Sequence, residues 1–477
     1  MSLRPEAGRA PSPLPRQPFW EGLAAGTPGP EVLTALRTAR RDRNLLLLRA
    51  AHARHRVEPH WSESVSLLAE VRRLRPDVFA DVLGDPEAGA WLARQAQRSH
   101  ADGPKATARV PLTGLARFAA AAALRAGLDF RIRVPVADGT GVVLPGLGAA
   151  FLPASGPRTA TVVRDGGGAR LVRAGDRPVL LDGVAGLHAV AGHDGEAGHD
   201  RLVRLDSTAG FGSAAGFGSA AGFGRATAGH SGACESGQEG GGDPGWHPVP
   251  RLRLRAGAVA GGRLGSGVVV RLDTLDPLRL GTAVRRPARP LPPQEYAAWQ
   301  RRIDAAWDVL TERHPERAET VAGVLRVVVP LTGEGGAGWR SASFSDATGL
   351  VALSAIDDPV ELAADLVHEA QHSLLYALTD LAPLLDAPPG SRGRAPWSEL
   401  PRPPGALLQG GSAFLVTAGF WREERDFGNG AAGRPYAHWR RTARIAVASL
   451  AAREDWTTAD GRRLLDAMGA LLDSWDP

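Results

Sequence analysis

The pentapeptide His368-Glu369-Ala370-Gln371-His372 constrains this chain most, because two histidines four residues apart share one face only in an α-helix. Asp358 is suited to cap the N-terminus of that helix, Pro359 suits its first position, and Glu361 lies where its carboxylate can reach back to the cap. Apolar residues then recur at helical spacing without Gly or Pro until Pro383. The sequence therefore predicts a largely apolar helix with both histidines in its middle.

The histidine pair is more than a feature of a well-packed core. A single buried histidine is commonly satisfied by neighbouring groups. Two histidines beside an acid on one apolar helix, however, incur a desolvation cost that a bound cation offsets. We therefore expect His368 and His372 to bind a metal ion.

Composition narrows the class of protein. A chain of 477 residues exceeds what one core usually organises, so two or three domains are expected. The single cysteine, Cys234, excludes a disulfide framework and a cysteine-ligated iron–sulfur cluster, and it fits a reducing cytoplasm. No stretch is typical of a signal peptide or a membrane span, so we expect a cytoplasmic protein with no membrane partner. The net charge is +5 without a dense basic stripe, and no nucleic-acid partner is expected.

The pattern of apolar residues predicts an α+β fold that is mainly helical, with an N-terminal helical region, a central antiparallel β region and a C-terminal helical metal-site region. We assign residues 1–30 to a disordered N-terminus, 31–128 to the helical region, 129–285 to the β-rich region and 286–477 to the helical catalytic region. Within the β-rich region, 207–245 repeats Gly-Phe-Gly and is otherwise rich in Gly and Ser. Such a tract buries too little apolar surface to order itself, which predicts a disordered insertion.

The elements around the histidine helix can also be placed. We predict one long helix over 294–318, a buried strand over 325–330 and a hairpin over 341–354. A proline-rich loop follows over 383–404, and then helices over 405–424, 436–453 and 458–473. The histidine helix is expected to pack against the first of these three.

Two reaction classes use a pair of helical histidines. In a zinc peptidase, both histidines and a third ligand hold the metal, and Glu369 would take the proton from the attacking water. In a non-haem iron oxygenase, two histidines and a third ligand leave positions for a 2-oxo acid and O₂. A domain that recruits a peptide without catalysis is a third reading, and the ligand types leave all three open.

Further motifs lie outside this helix in a fixed order. They are Asp85-Pro86 followed by Trp91, Leu144-Pro145-Gly146-Leu147-Gly148, Trp246-His247-Pro248-Val249, Leu272-Asp273-Thr274-Leu275-Asp276-Pro277, and Ala395-Pro396-Trp397 followed by Arg402-Pro403. Together with the histidine motif they resemble the HEXXH motif-containing proteins that are encoded beside ribosomally made, post-translationally modified peptides. The resemblance covers about residues 60–470 and is more specific than the pentapeptide alone.

The resemblance implies an Fe(II)- and 2-oxoglutarate-dependent peptide β-hydroxylase. Its substrate would be a ribosomally made precursor peptide, and a radical-SAM maturase from the same gene cluster would be a further partner. By position, His368 and His372 would bind iron, and Glu369 would be the catalytic candidate beside the metal without necessarily being a base. Arg402 is the residue expected to bind the side carboxylate of 2-oxoglutarate, since a guanidinium can hold a carboxylate through two hydrogen bonds. A loop arginine facing water is the alternative reading.

One departure from the family pattern leaves the third ligand open. Related sequences often place a histidine in the helix after the Arg-Pro pair, whereas this chain has Phe414 there. The possible substitutes are Gln409, Glu399, Glu423 and His438, each of which also suits a solvent-facing or structural role. Weak metal binding, or a protein that has lost catalysis, is therefore a further outcome that the sequence allows.

Overall fold

The computed structural model describes residues 17–101, 114–137, 141–153, 156–183, 245–255, 258–259, 262–263, 268–275, 290–331 and 341–475. The fold is α+β and mainly helical, with helical regions towards both ends and antiparallel sheets between them, which confirms the predicted fold class. The predicted Gly-Phe-Gly insertion lies outside the described residues except for Gly245, and so do residues 1–16 of the predicted disordered N-terminus.

Six helices form the N-terminal part of the described chain. They are α1 (Gln17–Ala25), α2 (Pro30–His55), α3 (Pro59–Leu74), α4 (Pro76–Leu83), α5 (Pro86–Ala101) and α6 (Gly114–Ala126). Helices α2 to α5 each begin with a proline, whose fixed φ suits the first helical position and whose missing N–H has no partner there in any case. Helices α2 to α6 account for the helical region predicted over residues 31–128.

Eleven short strands follow in the described residues up to 275. They are β1 (Phe130–Pro135), β2 (Val142–Leu144), β3 (Gly148–Phe151), β4 (Thr159–Asp165), β5 (Gly168–Val172), β6 (Val179–Leu180), β7 (Gly245–Pro248), β8 (Arg251–Arg253), β9 (Ala258–Val259), β10 (Gly262–Arg263) and β11 (Val269–Leu272). Strands β1-β4-β5-β6 and β2-β3-β7 form two antiparallel sheets. Apolar side chains of these strands share a core with α3 to α6.

The C-terminal part holds the histidine helix. Its elements are α7 (Pro293–Arg313), α8 (Pro315–Val324), β12 (Val327–Leu331), β13 (Ser341–Ser343), β14 (Leu350–Ser354), α9 (Pro359–Leu381), α10 (Pro404–Asp426), α11 (Gly433–Ala451) and α12 (Ala459–Ser474). Strands β13 and β14 pair antiparallel, which confirms the predicted hairpin.

The prediction of one helix over 294–318 is wrong. The chain leaves the helical conformation at His314, where φ is −130° and ψ is 56°, and a new helix begins at Pro315. Proline disfavours the helical conformation in the residue before it and cannot donate its own backbone hydrogen bond. Pro315 therefore divides the segment into α7 and α8.

A five-stranded mixed sheet crosses the predicted boundary between 285 and 286. Its strand order is β13-β14-β12-β11-β8, so strands from both sides of that boundary are hydrogen-bonded to each other. Strand β12 runs parallel to both β11 and β14. A parallel neighbour requires a long crossover connection, and α7 and α8 supply the one between β11 and β12. The boundary is therefore not a structural division, and this sheet is not wholly antiparallel.

Helix α9 packs against four other helices, which are α10, α7, α2 and α8. The Asp358 carboxylate accepts hydrogen bonds from the backbone N–H groups of Val360 and Glu361, at 2.9 and 3.0 Å. This confirms both the predicted N-cap and the predicted packing of the histidine helix on α10. None of the helices in the described residues is long and apolar enough to cross a membrane.

Helix α1 corrects the prediction that residues 1–30 are disordered, because 17–25 form a helix that packs against α12 and α10. Trp20 and Leu23 are only 3% and 2% exposed and belong to the same core as α9. Burial of two large apolar side chains contributes a few kcal/mol, about 1.5–3 for each, and this outweighs the high Pro and Gly content on which the prediction rested.

Two glycines of α12 give a matched test of how this helix packs against the loop between α9 and α10. A Cβ on Gly461 would lie 1.9 Å from the backbone oxygen of Leu384, whereas a Cβ on Gly469 would meet nothing within 4 Å. We expect Gly461→Ala to lower the free energy of unfolding by about 1–3 kcal/mol through this overlap. Gly469→Ala should raise it by about 0.5–1 kcal/mol, because alanine loses less backbone entropy in a helix. Urea denaturation of both variants measures this, and equal effects would contradict the described contact between α12 and the loop before α10.

Candidate metal centre

Helix α10 fixes the orientation of both histidines of α9. His368 Nδ1 lies 3.0 Å from Thr417 Oγ1, and His372 Nδ1 lies 2.9 Å from Gln409 Oε1. The Thr417 hydroxyl already donates to the backbone oxygen of Ala413 at 2.9 Å, so it accepts from His368. The amide oxygen of Gln409 can only accept. Both Nδ1 atoms therefore carry the ring proton.

The consequence is that the two Nε2 atoms present lone pairs to each other, at a separation of 3.2 Å. Such an arrangement is repulsive unless a proton or a cation lies between the two nitrogens. Nitrogens each about 2.05 Å from one metal ion lie about 2.9 Å apart at a 90° angle and about 3.3 Å apart at the tetrahedral angle. The observed spacing falls between these values, so the pair fits two ligands of a single metal ion.

The surroundings keep the His368 ring in the form that binds metals. His372 is 6% exposed, and burial, followed by the neighbouring His372, holds the pKa of His368 well below its usual value. His368 is therefore a neutral imidazole at neutral pH. A neutral ring whose second nitrogen donates to a fixed acceptor is the usual state of a histidine ligand.

Glu369 is buried beside this pair. It is only 2% exposed, and its Oε2 has no hydrogen-bond partner among the described residues. A carboxylate oxygen in such a place is costly unless a proton or a cation compensates it. Glu369 therefore remains the catalytic candidate, as a buried carboxylate that follows His368 directly in the sequence.

Aromatic rings form the wall beside His368. The Phe414 ring lies 5.4 Å from the His368 ring, stacks on Trp439 at 4.9 Å with an 11° interplanar angle, and meets Trp397 edge-on at 4.9 Å. Phe414 is thus a packed aromatic residue next to the metal-binding face, and it supplies no ligand.

Two of the proposed substitute ligands are engaged or exposed elsewhere. Glu423 pairs with Arg317 at 2.7 Å and with His314 at 2.6 Å, on the side of α10 that faces α7 and α8. Glu399 is exposed in the loop before α10. The hypothesis that either completes the site is therefore not supported, because ion pairing holds the first and solvent surrounds the second.

The other two substitutes, Gln409 and His438, are also not placed as ligands. Gln409 accepts a hydrogen bond from His372 Nδ1, so it orients the ring of a candidate ligand and does not bind the ion itself. His438 is exposed on α11, with its ring 4.7 Å from that of Trp439. Within the described part of the chain, no group of three or more His, Cys, Asp or Glu residues could hold a metal ion.

Arg402, the residue predicted to bind the co-substrate, makes hydrogen bonds within the loop between α9 and α10. Its Nε donates to Ser398 Oγ at 3.1 Å, and its backbone pairs with Gly393 through two hydrogen bonds of 2.8 Å. Among the described contacts, none joins Arg402 to the histidines. Its role in binding 2-oxoglutarate therefore stays a prediction.

Sequence reasoning missed Thr417 and the role of Gln371. Gln371 Nε2 donates to the backbone oxygen of Leu23 at 2.9 Å and to Ser412 Oγ at 2.7 Å, so it fastens α9 to both α1 and α10. The available signal was that Gln409, Ser412 and Thr417 are polar residues in the stretch of α10 before Arg422, which is otherwise apolar or glycine. Polar side chains in such a helix need partners, and those partners lie on α9.

Comparison of the chain with known proteins found no family model and no curated protein that matches it. The resemblance to the HEXXH proteins of peptide-modification clusters therefore rests on the motifs in the sequence alone.

The metal site can be tested by binding. We expect the wild-type protein to bind one Zn²⁺ or Co²⁺, and His368→Ala or His372→Ala to abolish that binding, because each histidine supplies one of few protein ligands. Isothermal titration calorimetry measures it. Unchanged binding in the variant that lacks both histidines would contradict the assignment.

Thr417 allows a finer form of this test. Thr417→Val removes the acceptor for His368 and should weaken metal affinity about tenfold, whereas Thr417→Ser should retain most of it. Thr442→Val is the matched control, since Thr442 is a buried threonine of α11 whose hydroxyl likewise donates one turn back, to the oxygen of His438 at 2.9 Å. If both valine variants lose affinity equally, the effect is general packing.

The ion pairs of Glu423 predict a pH dependence of stability. Burial by itself raises the pKa of Glu423, but Arg317 and His314 overcome it and lower the pKa to about 2. A carboxylate whose pKa is lowered in the folded state stabilises the protein above its unfolded pKa, and that stabilisation is lost as the pH falls towards 2. Glu423→Gln should flatten the fall in melting temperature between about pH 4.5 and pH 2, while Glu399→Gln should leave it unchanged. Identical profiles for the two variants would contradict this.

Proposed function

We propose that this protein hydroxylates a residue of a ribosomally made precursor peptide in a reaction that depends on Fe(II) and 2-oxoglutarate. The observation that carries the proposal is the pair of histidine Nε2 atoms 3.2 Å apart, each on a ring whose Nδ1 is anchored by α10. This arrangement is suited to hold a metal ion at a fixed point on α9.

The ligand count does not separate an oxygenase from a peptidase, because both classes usually add a third protein ligand to two histidines. What supports the oxygenase is the series of motifs outside the histidine helix, from Asp85 to Arg402, which resembles that of the peptide-modifying HEXXH proteins.

The bound iron would supply the activation of O₂, and the chain's own residues would do the rest. His368 and His372 would hold the ion, and Thr417 and Gln409 would keep their rings in orientation. Phe414, with the indoles stacked around it, would keep water from the face beside His368. Arg402 is the proposed partner of the 2-oxoglutarate side carboxylate.

The proposal places the protein in the cytoplasm, where 2-oxoglutarate is a common metabolite and a lone cysteine stays reduced. The precursor peptide would be its substrate, and a radical-SAM maturase acting on the same peptide would be a second partner.

One observation favours a second candidate, a zinc metallopeptidase. Glu369 follows His368 directly and is buried, and its Oε2 has no partner among the described residues, which suits the base that takes a proton from a zinc-bound water. A peptide-recruiting protein without catalysis is the third candidate, and the absence of a ligand at Phe414 favours it.

Mass spectrometry separates these candidates. The peptide encoded beside this gene, incubated with the protein, Fe²⁺, 2-oxoglutarate and air, should gain the mass of one oxygen atom and remain whole. The variant lacking both histidines is the control and should leave the peptide unchanged. Glu369→Gln should abolish a peptidase activity, because the attacking water loses its base.

The other outcomes are equally distinct. Cleavage of the peptide with Zn²⁺ in the absence of 2-oxoglutarate would contradict the hydroxylase and support the peptidase. A peptide that binds the protein under both conditions but stays unmodified would support the third candidate, a peptide-recruiting protein without catalysis.

A further inference from the structure

Two buried polar atoms beside the histidine helix have no hydrogen-bond partner among the described residues. One is Glu369 Oε2 on α9, and the other is Ser343 Oγ on β13. Glu369 is 2% exposed and Ser343 is 6% exposed, so bulk water satisfies neither group. Buried carboxyl and hydroxyl oxygens are nearly always hydrogen-bonded, and an ordered water molecule serves where no protein group is in reach. Each of the two atoms therefore needs a partner.

Strand pairing places the Ser343 side chain on the face of the mixed sheet that α9 covers. Ser343 lies opposite Val351 in the antiparallel pair of β13 and β14, and directly opposed residues direct their side chains to the same face. Val351 belongs to the core that contains the apolar residues of α9, whereas Ala342 belongs to a separate apolar cluster. Helix α9 also contacts β13. Ser343 Oγ is therefore directed into the contact between β13 and α9.

Glu369 lies at the same level of this contact as Ser343. The backbone N–H of Gly349 donates to Ser373 Oγ at 3.4 Å, which joins the start of β14 to α9. The connection from β14 to α9 is short, so α9 runs back along the hairpin towards Gly349. From Gly349 to Val351 the strand rises about 6.6 Å, and from Ser373 back to Glu369 the helix rises about 6 Å. Glu369 is thus level with Val351 and with its cross-strand partner Ser343.

Glu369 also lies between the hairpin side and the metal-binding side of α9. At about 100° per residue around the helix, Glu369 is about 40° from Ser373, which faces the hairpin, and about 60° from His372 in the other direction. A group that holds Glu369 Oε2 from the side of β13 therefore fixes the direction of a carboxyl group next to the histidine pair.

We propose that Ser343 is a positioning residue for Glu369, with one ordered water molecule that links Ser343 Oγ to Glu369 Oε2. The two atoms are not hydrogen-bonded to each other directly, and a bridging water satisfies both at once. The inference rests on the proposed function only in that Glu369 is the catalytic candidate. The link itself requires no metal ion, co-substrate or peptide, and it would position Glu369 in the peptidase as well.

Infrared spectroscopy of the full-length protein can follow the Glu369 carboxyl group directly. The difference between the spectra of the wild type and Glu369→Gln identifies the band of this carboxyl group. The same difference, measured in the Ser343→Ala background, should show the band at a shifted frequency, because Oε2 has lost the hydrogen bond that Ser343 supports.

Two further variants separate the hydroxyl group from the general structure of the strand. Ser343→Thr keeps a hydroxyl group and suits a strand, so it should restore the frequency of the wild type. Ser341→Ala is the matched control. Ser341 lies on the same strand and the same face, opposite Leu353, but is partly exposed, so this variant should leave the band unchanged.

The kinetics of the peptide reaction give a second readout of the same role. Ser343→Ala should lower kcat about three- to tenfold, through the loss of one hydrogen bond that orients Glu369. KM and metal affinity should stay unchanged, because the histidines and their partners on α10 are intact. In the Glu369→Gln background Ser343→Ala should have no further effect, since the group that it positions is already replaced.

Two results would overturn the inference. One is an unshifted band in Ser343→Ala, and the other is an equal shift in Ser341→Ala, which would indicate a general change in the sheet. The spectra are recorded without iron, 2-oxoglutarate or peptide, so their outcome is independent of the reaction. An unshifted band in a protein that hydroxylates its peptide would remove the inference and leave the proposed function. A shifted band in a protein that cleaves its peptide would do the reverse.

Discussion

The structure depends on one constraint, which is that two imidazoles on α9, each with its Nδ1 held by α10, direct their Nε2 atoms at each other across 3.2 Å. Neither ring can turn away without giving up its Nδ1 hydrogen bond, to Thr417 in one case and to Gln409 in the other. Both acceptors belong to α10, so the site exists only while α9 and α10 keep their relative register. A cation between the nitrogens turns this repulsion into two coordination bonds.

The rest of the fold maintains that register. Helix α9 is buried among α10, α7, α2 and α8, and Gln371 ties it to the backbone of α1 at Leu23. On the other side of α10, Glu423 and Arg317 form an ion pair, and Arg317 also donates to the backbone oxygen of Ala25 at 3.1 Å. The short helix α1 is thus fastened both to the histidine helix and to the helix that orients its rings, which is why it belongs to the core.

Aromatic residues border the candidate metal centre. Phe414 and its neighbours Trp439 and Trp397 give an apolar wall beside His368. In the proposed function this wall would exclude water from one side of the ion. Phe414 supplies no ligand, so its presence does not distinguish an oxygenase from a protein that only recruits a peptide.

The sequence by itself determined the elements whose causes are local. The cap at Asp358, the mid-helix position of His368 and His372, and the hairpin before them follow from residue spacing, and the structure confirms them. Only the tertiary structure decided which distant residues meet these histidines. The partners Thr417 and Gln409 lie 49 and 37 residues away, and their contacts depend on how α9 and α10 pack. The helix at 17–25 and the sheet shared across residue 285 likewise depend on burial against elements far along the chain. No local pattern encodes these contacts, since their free energy arises from surfaces that meet only in the folded chain.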